Sequence, residues 1–379
     1  MKRSYSRVRA SSAIVAGVSA AAVFLAGAAS PSLARADPGR DLALAALSPQ
    51  QLAGQRIIYS YSGLTPPASL LQLIRSGEAA GVIFFGGNIS SLAQIRGVIR
   101  QLSQANSQSP VKLPLLLMTD QEGGLVRRLP GAPVASEKQI GQSSHPISAA
   151  HSAGTGAGSN LRGVGMNVNL APVLDVYRHP GDFDDQFQRS YSTNPATVAQ
   201  LGADFIGSQQ QAGVAATGKH FPGLGAASAT QNTDLRPVTL NLHITTIRRQ
   251  DEVPYVSAIH AGVRLVMVSW AIYPVLDAHR PAGLSSAVVQ GELRQRLGFR
   301  GVTVTDAMDA GALSGFGTIA SRAVLAAQAG MDLLLYSGGA VSQGTSGLNA
   351  LATALGNGQL NQAAFDSAVQ RVMTLRSGL

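Results

Sequence analysis

Short apolar segments alternate with amphipathic segments along most of the chain. Eight runs rich in apolar and β-branched residues each end at a small or polar residue, and they begin at positions 56, 81, 115, 166, 214, 265, 302 and 332. Stretches with helical spacing of apolar residues lie between them, for example "SLAQIRGVIRQLSQ" and "PATVAQLGADFIGSQQQAG". Apolar strands that alternate with helices are typical of a parallel sheet covered by helices.

We therefore predict an α/β fold, a (β/α)8 TIM-type barrel, with a single domain over residues 49–379. A doubly wound open sheet has the same periodicity and is the alternative. Two features favour the barrel. The repeating units number eight, and polar residues follow many different strands, whereas an open sheet would concentrate them at one switch point. The final segment, "LNQAAFDSAVQRVMTLRSGL", predicts a helix that seals the barrel.

The first residues have the pattern of a secretory signal. Four basic residues precede an apolar run from Ala13 to Ala29, and the small-residue sequence Ala-Arg-Ala ends at Ala36. We expect a signal peptide over 1–36 that is cleaved after Ala36, a leader over 37–48, and a secreted or extracytoplasmic protein without a stable membrane span. An uncleaved anchor is the alternative, because the apolar run is near the lower limit for a span.

The charge of the chain argues against a nucleic-acid partner. The formal net charge is +9, but residues 1–36 contain five Lys or Arg and no acid, which leaves +4 on the remainder. No stripe of basic residues with interleaved aromatics occurs. The chain has no cysteine and its histidines are scattered, so we predict neither a metal nor another cofactor. We expect a monomer.

The acidic residues that directly follow apolar strands are the candidates for chemistry. Asp120 ends "LLLMTD", Asp175 ends "NLAPVLD" and Asp306 ends "VTVTD". The carboxyl ends of barrel strands surround the mouth of the barrel, so these acids should face basic residues from other strand ends. The basic residues concerned are Arg128, Arg189, Lys219 and His220. Any single acid has a helix-capping role as an equal alternative, but the set indicates a pocket for a hydroxyl-rich ligand.

Two further groups have simpler interpretations. The segment "GDFDDQ" brings Asp182, Asp184 and Asp185 close together. No twelve-residue calcium loop ending in glutamate follows it, so we expect a solvated loop. Three aromatic residues near strand ends either stack on a sugar or pack at the barrel rim, and the sequence does not choose between these roles. They are Tyr61, Trp270 and Tyr273.

Six segments together resemble glycoside hydrolase family 3, specifically its single-domain bacterial β-N-acetylglucosaminidases, or β-N-acetylhexosaminidases. In chain order they are "TDQEGGLVRRLPG", "GMNVNLAPVLDV", "QRSYSTNP", "GKHFPGLG", "PAGLSSAVVQGELRQRLGFRGVTVTDAMDAGAL" and "AGMDLLLYSG". The similarity extends from about residue 48 to residue 379. The motifs are specific as a set, although each would be weak alone.

The resemblance implies a role for each matching residue. Asp306 would be the catalytic nucleophile. The residues that would hold the hydroxyl groups of the sugar at the non-reducing end are Asp120, Arg128, Arg189, Lys219 and His220. The implied reaction is hydrolysis with retention, in which the carboxylate attacks the anomeric carbon while an acid protonates the departing oxygen.

The position of the acid/base departs from the family pattern. In these enzymes a histidine, with an aspartate two residues before it, serves as acid/base in a mobile loop after the fifth strand, and "KHFPGHG" usually precedes them. In this chain Leu224 replaces the second histidine of that motif, and "TQNTDLRP" contains none. Asn232 and Asp234 have the same spacing. Asp234 is therefore the candidate acid/base, and capping of a turn is its alternative role.

The signal pattern together with this resemblance implies an exported, retaining glycoside hydrolase involved in peptidoglycan turnover or related carbohydrate metabolism. Its expected reaction is the release of terminal β-linked N-acetylglucosamine from cell-wall or chitin-type oligosaccharides. Two alternatives stay open. One is another family 3 β-glycosidase that acts on glucose or xylose, and the other is a catalytically impaired sugar-binding barrel that lacks the usual acid/base histidine.

Overall fold

The computed structural model describes residues 46–379. The predicted signal peptide over 1–36, its cleavage site after Ala36 and nearly all of the predicted leader over 37–48 lie outside the described residues. Within the described part of the chain, no helix combines the length and apolar character needed to cross a bilayer.

Eight parallel strands close into a barrel, and each strand pairs with the next one along the chain. Pairing of the eighth strand with the first, in which Ile57 faces Leu334, completes the closure. The predicted (β/α)8 barrel is confirmed, and a doubly wound open sheet is excluded. The strands, from first to eighth, are Ile57–Tyr59, Gly81–Ile83, Leu116–Thr119, Val168–Asn169, Ala215–Phe221, Leu265–Val268, Val302–Ala307 and Leu333–Leu335.

Helices follow the strands and cover the outside of the barrel. The α-helices are Pro49–Gly54, Ala68–Arg75, Leu92–Ser107, Glu137–Gly141, Pro146–Val164, Phe183–Gln186, Pro195–Gln211, Ile244–Thr246, Val253–His260, Ile319–Ala329, Val341–Gly356 and Gln362–Ser377. Two segments, Ile247–Asp251 and Ala287–Arg296, have π-helical hydrogen bonding, and Gly86–Asn88, Ala282–Leu284 and Gly311–Leu313 form single 3₁₀ turns. A short hairpin, Gln121–Gly123 with Val126–Arg127, follows the third strand.

The helix Leu92–Ser107 illustrates how the local sequence specifies these elements. The Ser91 hydroxyl accepts a hydrogen bond from the backbone N–H of Gln94 at 3.1 Å and so satisfies one of the free donors of the first turn. Apolar residues three or four positions apart form the stripe that packs on the barrel. The buried members of this stripe are Ile95, Val98, Ile99, Leu102 and Ala105.

Side chains along the strands alternate between two packed layers. Ile58 and Ile83 pack inside the barrel, whereas their neighbours Ile57 and Val82 pack between the sheet and the helices. This alternation follows from the two-residue period of a strand. The barrel interior is therefore a filled core, and its uppermost layer can form the base of a site.

One buried carboxylate joins several elements at the amino end of the barrel. Asp332, which precedes the eighth strand, is fully buried. Its Oδ2 accepts hydrogen bonds from Arg294 Nη2 at 2.6 Å and from the backbone N–H of Thr303 at 2.9 Å. Its Oδ1 accepts from Arg371 Nη2 at 2.7 Å, and Arg56 Nε donates to its carbonyl oxygen at 3.1 Å. One carboxylate thus pairs with arginines from two separate helical elements, and the backbone of the same residue binds a third arginine.

Candidate active site

A cavity of about 340 Å³ opens at the carboxyl ends of the barrel strands. Ile83, Met267 and Leu335, which belong to the packed interior of the barrel, line it. The cavity brings together the seven residues to which the sequence assigned a catalytic or sugar-binding role, while these roles stay predictions. These residues are Asp120, Arg128, Arg189, Lys219, His220, Asp234 and Asp306. Asp175, the other acid expected at a strand end, is buried and does not line the cavity.

A network of charged side chains forms one wall of the cavity. The Nζ atom of Lys219 lies 2.7 Å from Asp120 Oδ1 and 2.7 Å from Glu122 Oε1. Arg189 donates two hydrogen bonds of 2.9 Å to the two carboxylate oxygens of Glu122. This forked geometry fixes the guanidinium plane as well as its position. Arg128 also lines the cavity, and its Nε is buried without a hydrogen-bond partner in the described structure.

Glu122 is a site residue that the sequence reasoning missed. Burial alone would raise the pKa of this carboxyl group, but the charges of Arg189 and Lys219 outweigh it and lower the pKa to about 2. Burial would likewise lower the pKa of Lys219, yet its two carboxylate neighbours raise it. Glu122 and Lys219 are therefore both charged at neutral pH. A signal for Glu122 exists in the sequence, because it lies two residues after Asp120 and so on the same face of an extended segment.

His220 is oriented by Asp175, the third acid that the sequence placed at a strand end. The Nδ1 of His220 lies 2.7 Å from Asp175 Oδ2, and the backbone N–H of Leu224 donates to Asp175 Oδ1 at 2.5 Å. Burial, together with the charge of Arg189, lowers the pKa of His220 to about 4. The imidazole is thus neutral at pH 7. We assign its proton to Nδ1, which leaves Nε2 as an acceptor.

The expectation of a solvated loop at "GDFDDQ" is wrong. The exposed fractions of Asp182, Asp184 and Asp185 are only 9%, 1% and 3%. Two of these acids accept hydrogen bonds from backbone N–H groups of the same loop, Asp182 from Arg178 and Asp185 from Gly181. The residues nevertheless form no hydrophobic run, so a sequence pattern alone does not reveal their burial.

Asp184 lies beside Asp175 and His220, with one ligand-type atom of each residue within 4.8 Å of the others. Hydrogen bonds from N–H groups already occupy the Asp175 oxygens, and Arg189 Nη1 lies 3.6 Å from Asp184 Oδ1. Burial raises the pKa of Asp184 to about 7, and the charge of Asp175 contributes to this rise. The arrangement therefore suits a retained proton better than a cation.

Asp306 extends from the end of the seventh strand into the cavity. Its Oδ1 accepts a hydrogen bond from the backbone N–H of Ala307 at 2.7 Å. Trp270 Nε1 donates to the carbonyl oxygen of Ala307 at 2.8 Å, so a buried indole fixes the chain next to this carboxylate. Burial raises the pKa of Asp306, and nearby Asp234 raises it further, while the backbone N–H of Ala307 and the charge of Lys219 oppose the rise. Trp270, Tyr273 and Tyr61 are all buried, which favours rim packing over sugar stacking.

Asp234 lies at the rim of the cavity, in the loop after the fifth strand. The residue is exposed at its surface, but neighbouring protein atoms displace part of the water around its carboxyl group, and this desolvation raises the pKa of Asp234. The charges of Asp309 and Asp120 raise this pKa further, and the charge of Arg189 opposes the rise. The turn here is capped by Asn232, whose Oδ1 accepts from the Asp234 backbone N–H at 2.8 Å. The alternative role of Asp234 as the turn cap is therefore disfavoured.

Comparison with known proteins locates this chain among sugar-cleaving enzymes. The sequence profile described as "Glycosyl hydrolase family 3 N terminal domain" matches residues 54–375. An uncharacterized secreted glycosyl hydrolase of Arthroderma benhamiae is 47% identical over 329 residues, which cover 86% of this chain and 93% of that protein. A beta-hexosaminidase of Nitrosomonas eutropha is 32% identical over 262 residues, or 67% of this chain and 72% of that protein.

A solved structure extends the comparison to the fold. The glycoside hydrolase family 3 β-N-acetylglucosaminidase from Paenibacillus sp. FPU-7 superposes with a TM-score of 0.83 and 33% sequence identity. The superposition covers 88% of this chain and 63% of that longer chain. The family predicted from the six motifs is confirmed, and so is the class of enzyme. The chain belongs to glycosyl hydrolase family 3.

Proposed function

We propose that this protein is an exported β-N-acetylhexosaminidase that releases terminal β-linked N-acetylglucosamine from cell-wall or chitin-type oligosaccharides with retention of configuration. The proposal depends on one observation, the convergence of Asp306, Asp234 and the Lys219 network on a single cavity. The activities named for the relatives support the choice of sugar. The name of the Arthroderma protein supports export, with cleavage after Ala36 and a monomeric state proposed from the sequence.

In the proposed complex, one sugar residue fills the cavity. The volume of the cavity, about 340 Å³, is near the lower end of the range for small-molecule sites, roughly 300 to 1,000 Å³. Lys219, Arg189 and Arg128 donate hydrogen bonds to hydroxyl oxygens, and Asp120 accepts them. A cavity that holds one residue suits attack at a chain end.

The proposed reaction has two steps. In the first, an Asp306 oxygen bonds to the anomeric carbon, the bond to the leaving oxygen breaks, and the Asp234 carboxylic acid gives its proton to that oxygen. In the second, Asp234 takes a proton from water as the water oxygen bonds to the anomeric carbon and the bond to Asp306 breaks. The raised pKa of Asp234 suits the acid role, because a protonated carboxyl group is required at the start.

A panel of 4-nitrophenyl β-glycosides tests the proposed substrate. The N-acetylglucosaminide should have the highest kcat/KM, and the glucoside and xyloside should be poor substrates. A higher kcat/KM for the glucoside or the xyloside than for the N-acetylglucosaminide would instead support a different family 3 β-glycosidase. Calorimetric binding of N-acetylglucosamine without turnover of any aryl glycoside would support the catalytically impaired barrel.

Replacement of Asp234 by asparagine tests the proposed acid/base. We expect kcat/KM for a poor leaving group, such as an alkyl β-N-acetylglucosaminide, to fall by roughly 10²- to 10⁴-fold, because general acid catalysis is lost. A 2,4-dinitrophenyl substrate, which departs without protonation, should lose little. Equal losses for the two substrates would contradict this role, since they would indicate a general structural effect.

Replacement of Asp309 by asparagine tests the electrostatics of the acid. Asp309 lines the cavity, and its Oδ1 accepts hydrogen bonds from the backbone N–H and the hydroxyl of Ser337 at 3.2 and 3.0 Å. Its negative charge raises the pKa of Asp234. Asparagine keeps the acceptor but removes the charge, so Asp234 should lose its proton at lower pH. The basic limb of the profile of kcat/KM against pH should therefore move to lower pH, and an unchanged limb would contradict this coupling.

A further inference from the structure

The loop that carries Asp234 is held to the loop that follows Asp306. The backbone N–H of Gly311 donates to the carbonyl oxygen of Asp234 at 2.7 Å, and that of Ala312 donates to the carbonyl oxygen of Thr233 at 3.0 Å. The side chain of Thr233 is buried in this contact region. The segments after the fifth and seventh strands therefore meet directly across the mouth of the barrel.

This contact leaves no room for a side chain at position 311. A Cβ atom on Gly311 would lie 2.3 Å from the carbonyl oxygen of Leu235 and 2.4 Å from its carbonyl carbon. Both atoms belong to the backbone, so no side-chain rotation relieves the overlap. The φ angle of Gly311 does not lie in the left-handed region. Glycine is thus required here for close approach, and not for an unusual backbone conformation.

The same short loop fixes the other groups of the proposed reaction. Asp306 lies five residues before Gly311, and Asp309, whose charge acts on Asp234, lies two residues before it. The Trp270 indole anchors the start of this loop through Ala307. The backbone at Asp234 is therefore attached to the same anchored segment that begins at Asp306.

We propose that Gly311 is a positioning residue. Through backbone contact alone, it sets the position of Asp234, the proposed acid/base, relative to Asp306, the proposed nucleophile. This inference depends on the proposed function. In Gly311→Ala, ordinary contact with Leu235 requires a displacement of roughly 1 Å, and a misplacement of that size lowers catalysis by about 10²-fold. The decrease in rate should affect the step in which Asp234 donates its proton to the leaving oxygen.

The experiment compares kcat/KM for an alkyl and a 2,4-dinitrophenyl β-N-acetylglucosaminide. Gly311→Ala should lower the value for the alkyl substrate by about 10²-fold and that for the activated substrate by less than about threefold. Gly315→Ala is the matched control, because Gly315 lies in the same loop, is exposed and has nothing within 4 Å of an added Cβ. It should leave both values unchanged.

A double variant separates positioning from a general structural effect. If Gly311 acts through Asp234, then Gly311→Ala should have little further effect in a protein that already carries Asp234→Asn. Equal loss for both leaving groups, or a full additional loss in the double variant, would overturn the inference. Absence of turnover by the unmodified protein would instead refute the proposed function.

Hydrogen exchange in the unmodified protein provides a test that does not require the variant to fold. The amides of Gly311 and Ala312 should exchange more slowly than the amide of exposed Gly315, because their N–H groups bond to the carbonyl oxygens of the Asp234 loop. Exchange of all three amides at the same rate would show that the two loops are not held together, and would overturn the proposal.

Discussion

Replacing Asp306 by alanine is expected to lower kcat/KM for an aryl β-N-acetylglucosaminide by roughly 10⁴-fold or more, because the change removes the proposed covalent nucleophile. Azide should enter the space left by the carboxylate and restore turnover. It would attack the anomeric carbon opposite the leaving group, so the product should be the α-glycosyl azide. Initial rates and the anomeric configuration of the product, measured by NMR, test this expectation.

The control for this variant is Asp366→Asn, a change at a half-buried position of the last helix, far along the chain from the site residues. It should leave kcat/KM unchanged with and without azide. Near-normal turnover by Asp306→Ala would contradict the assignment of the nucleophile. A β-glycosyl azide would indicate that another carboxylate forms the covalent intermediate and that Asp306 acts in proton transfer.

Replacing Asp332 by alanine should lower the free energy of unfolding by about 3 to 5 kcal/mol, which is typical of breaking a buried ion pair. Arg294 would lose its carboxylate partner while its guanidinium stays buried, and Arg371 would lose the same partner. Arg56, which is only 1% exposed, would also lose the neighbouring negative charge. Urea unfolding at neutral pH measures the change.

Asp366→Asn again provides the comparison. Asp366 accepts one exposed hydrogen bond from Gln362, so its replacement should change the free energy of unfolding by no more than about 0.5 kcal/mol. The cavity lies at the opposite end of the barrel from Asp332. Folded Asp332→Ala protein should therefore keep its kcat/KM, and an unchanged urea midpoint would show that this ion network adds no net stability.

The barrel was predictable because each strand is an apolar run long enough to be recognised and is followed by a helix-period segment. The first and last residues of each strand were less predictable. The run "MNVNLAPVLD" suggests a strand from Met166 to Asp175, but the regular fourth strand is only Val168–Asn169. Pro172 interrupts the ladder because it has no N–H to donate.

The site was predictable to the extent that its residues lie at strand ends. Asp120, Lys219 and Asp306 meet in one cavity because parallel strands place their carboxyl ends together. Asp184 was not predictable. Its burial depends on tertiary packing of a polar segment beside Asp175 and His220, and no local periodicity of the sequence reports such packing.

In the proposed sugar complex, the salt-bridge network around Glu122 affects which sugars bind. Since Glu122 holds Lys219 and Arg189 in place before any ligand arrives, binding requires little additional loss of rotamer freedom. A rigid set of donors should also bind a sugar that lacks one hydroxyl group more weakly. Such a deoxy analogue would leave a desolvated cation without a hydrogen-bond acceptor. We therefore expect differences in affinity between sugars to depend mainly on whether each hydroxyl group is present. Adaptation of the protein to each ligand should contribute little.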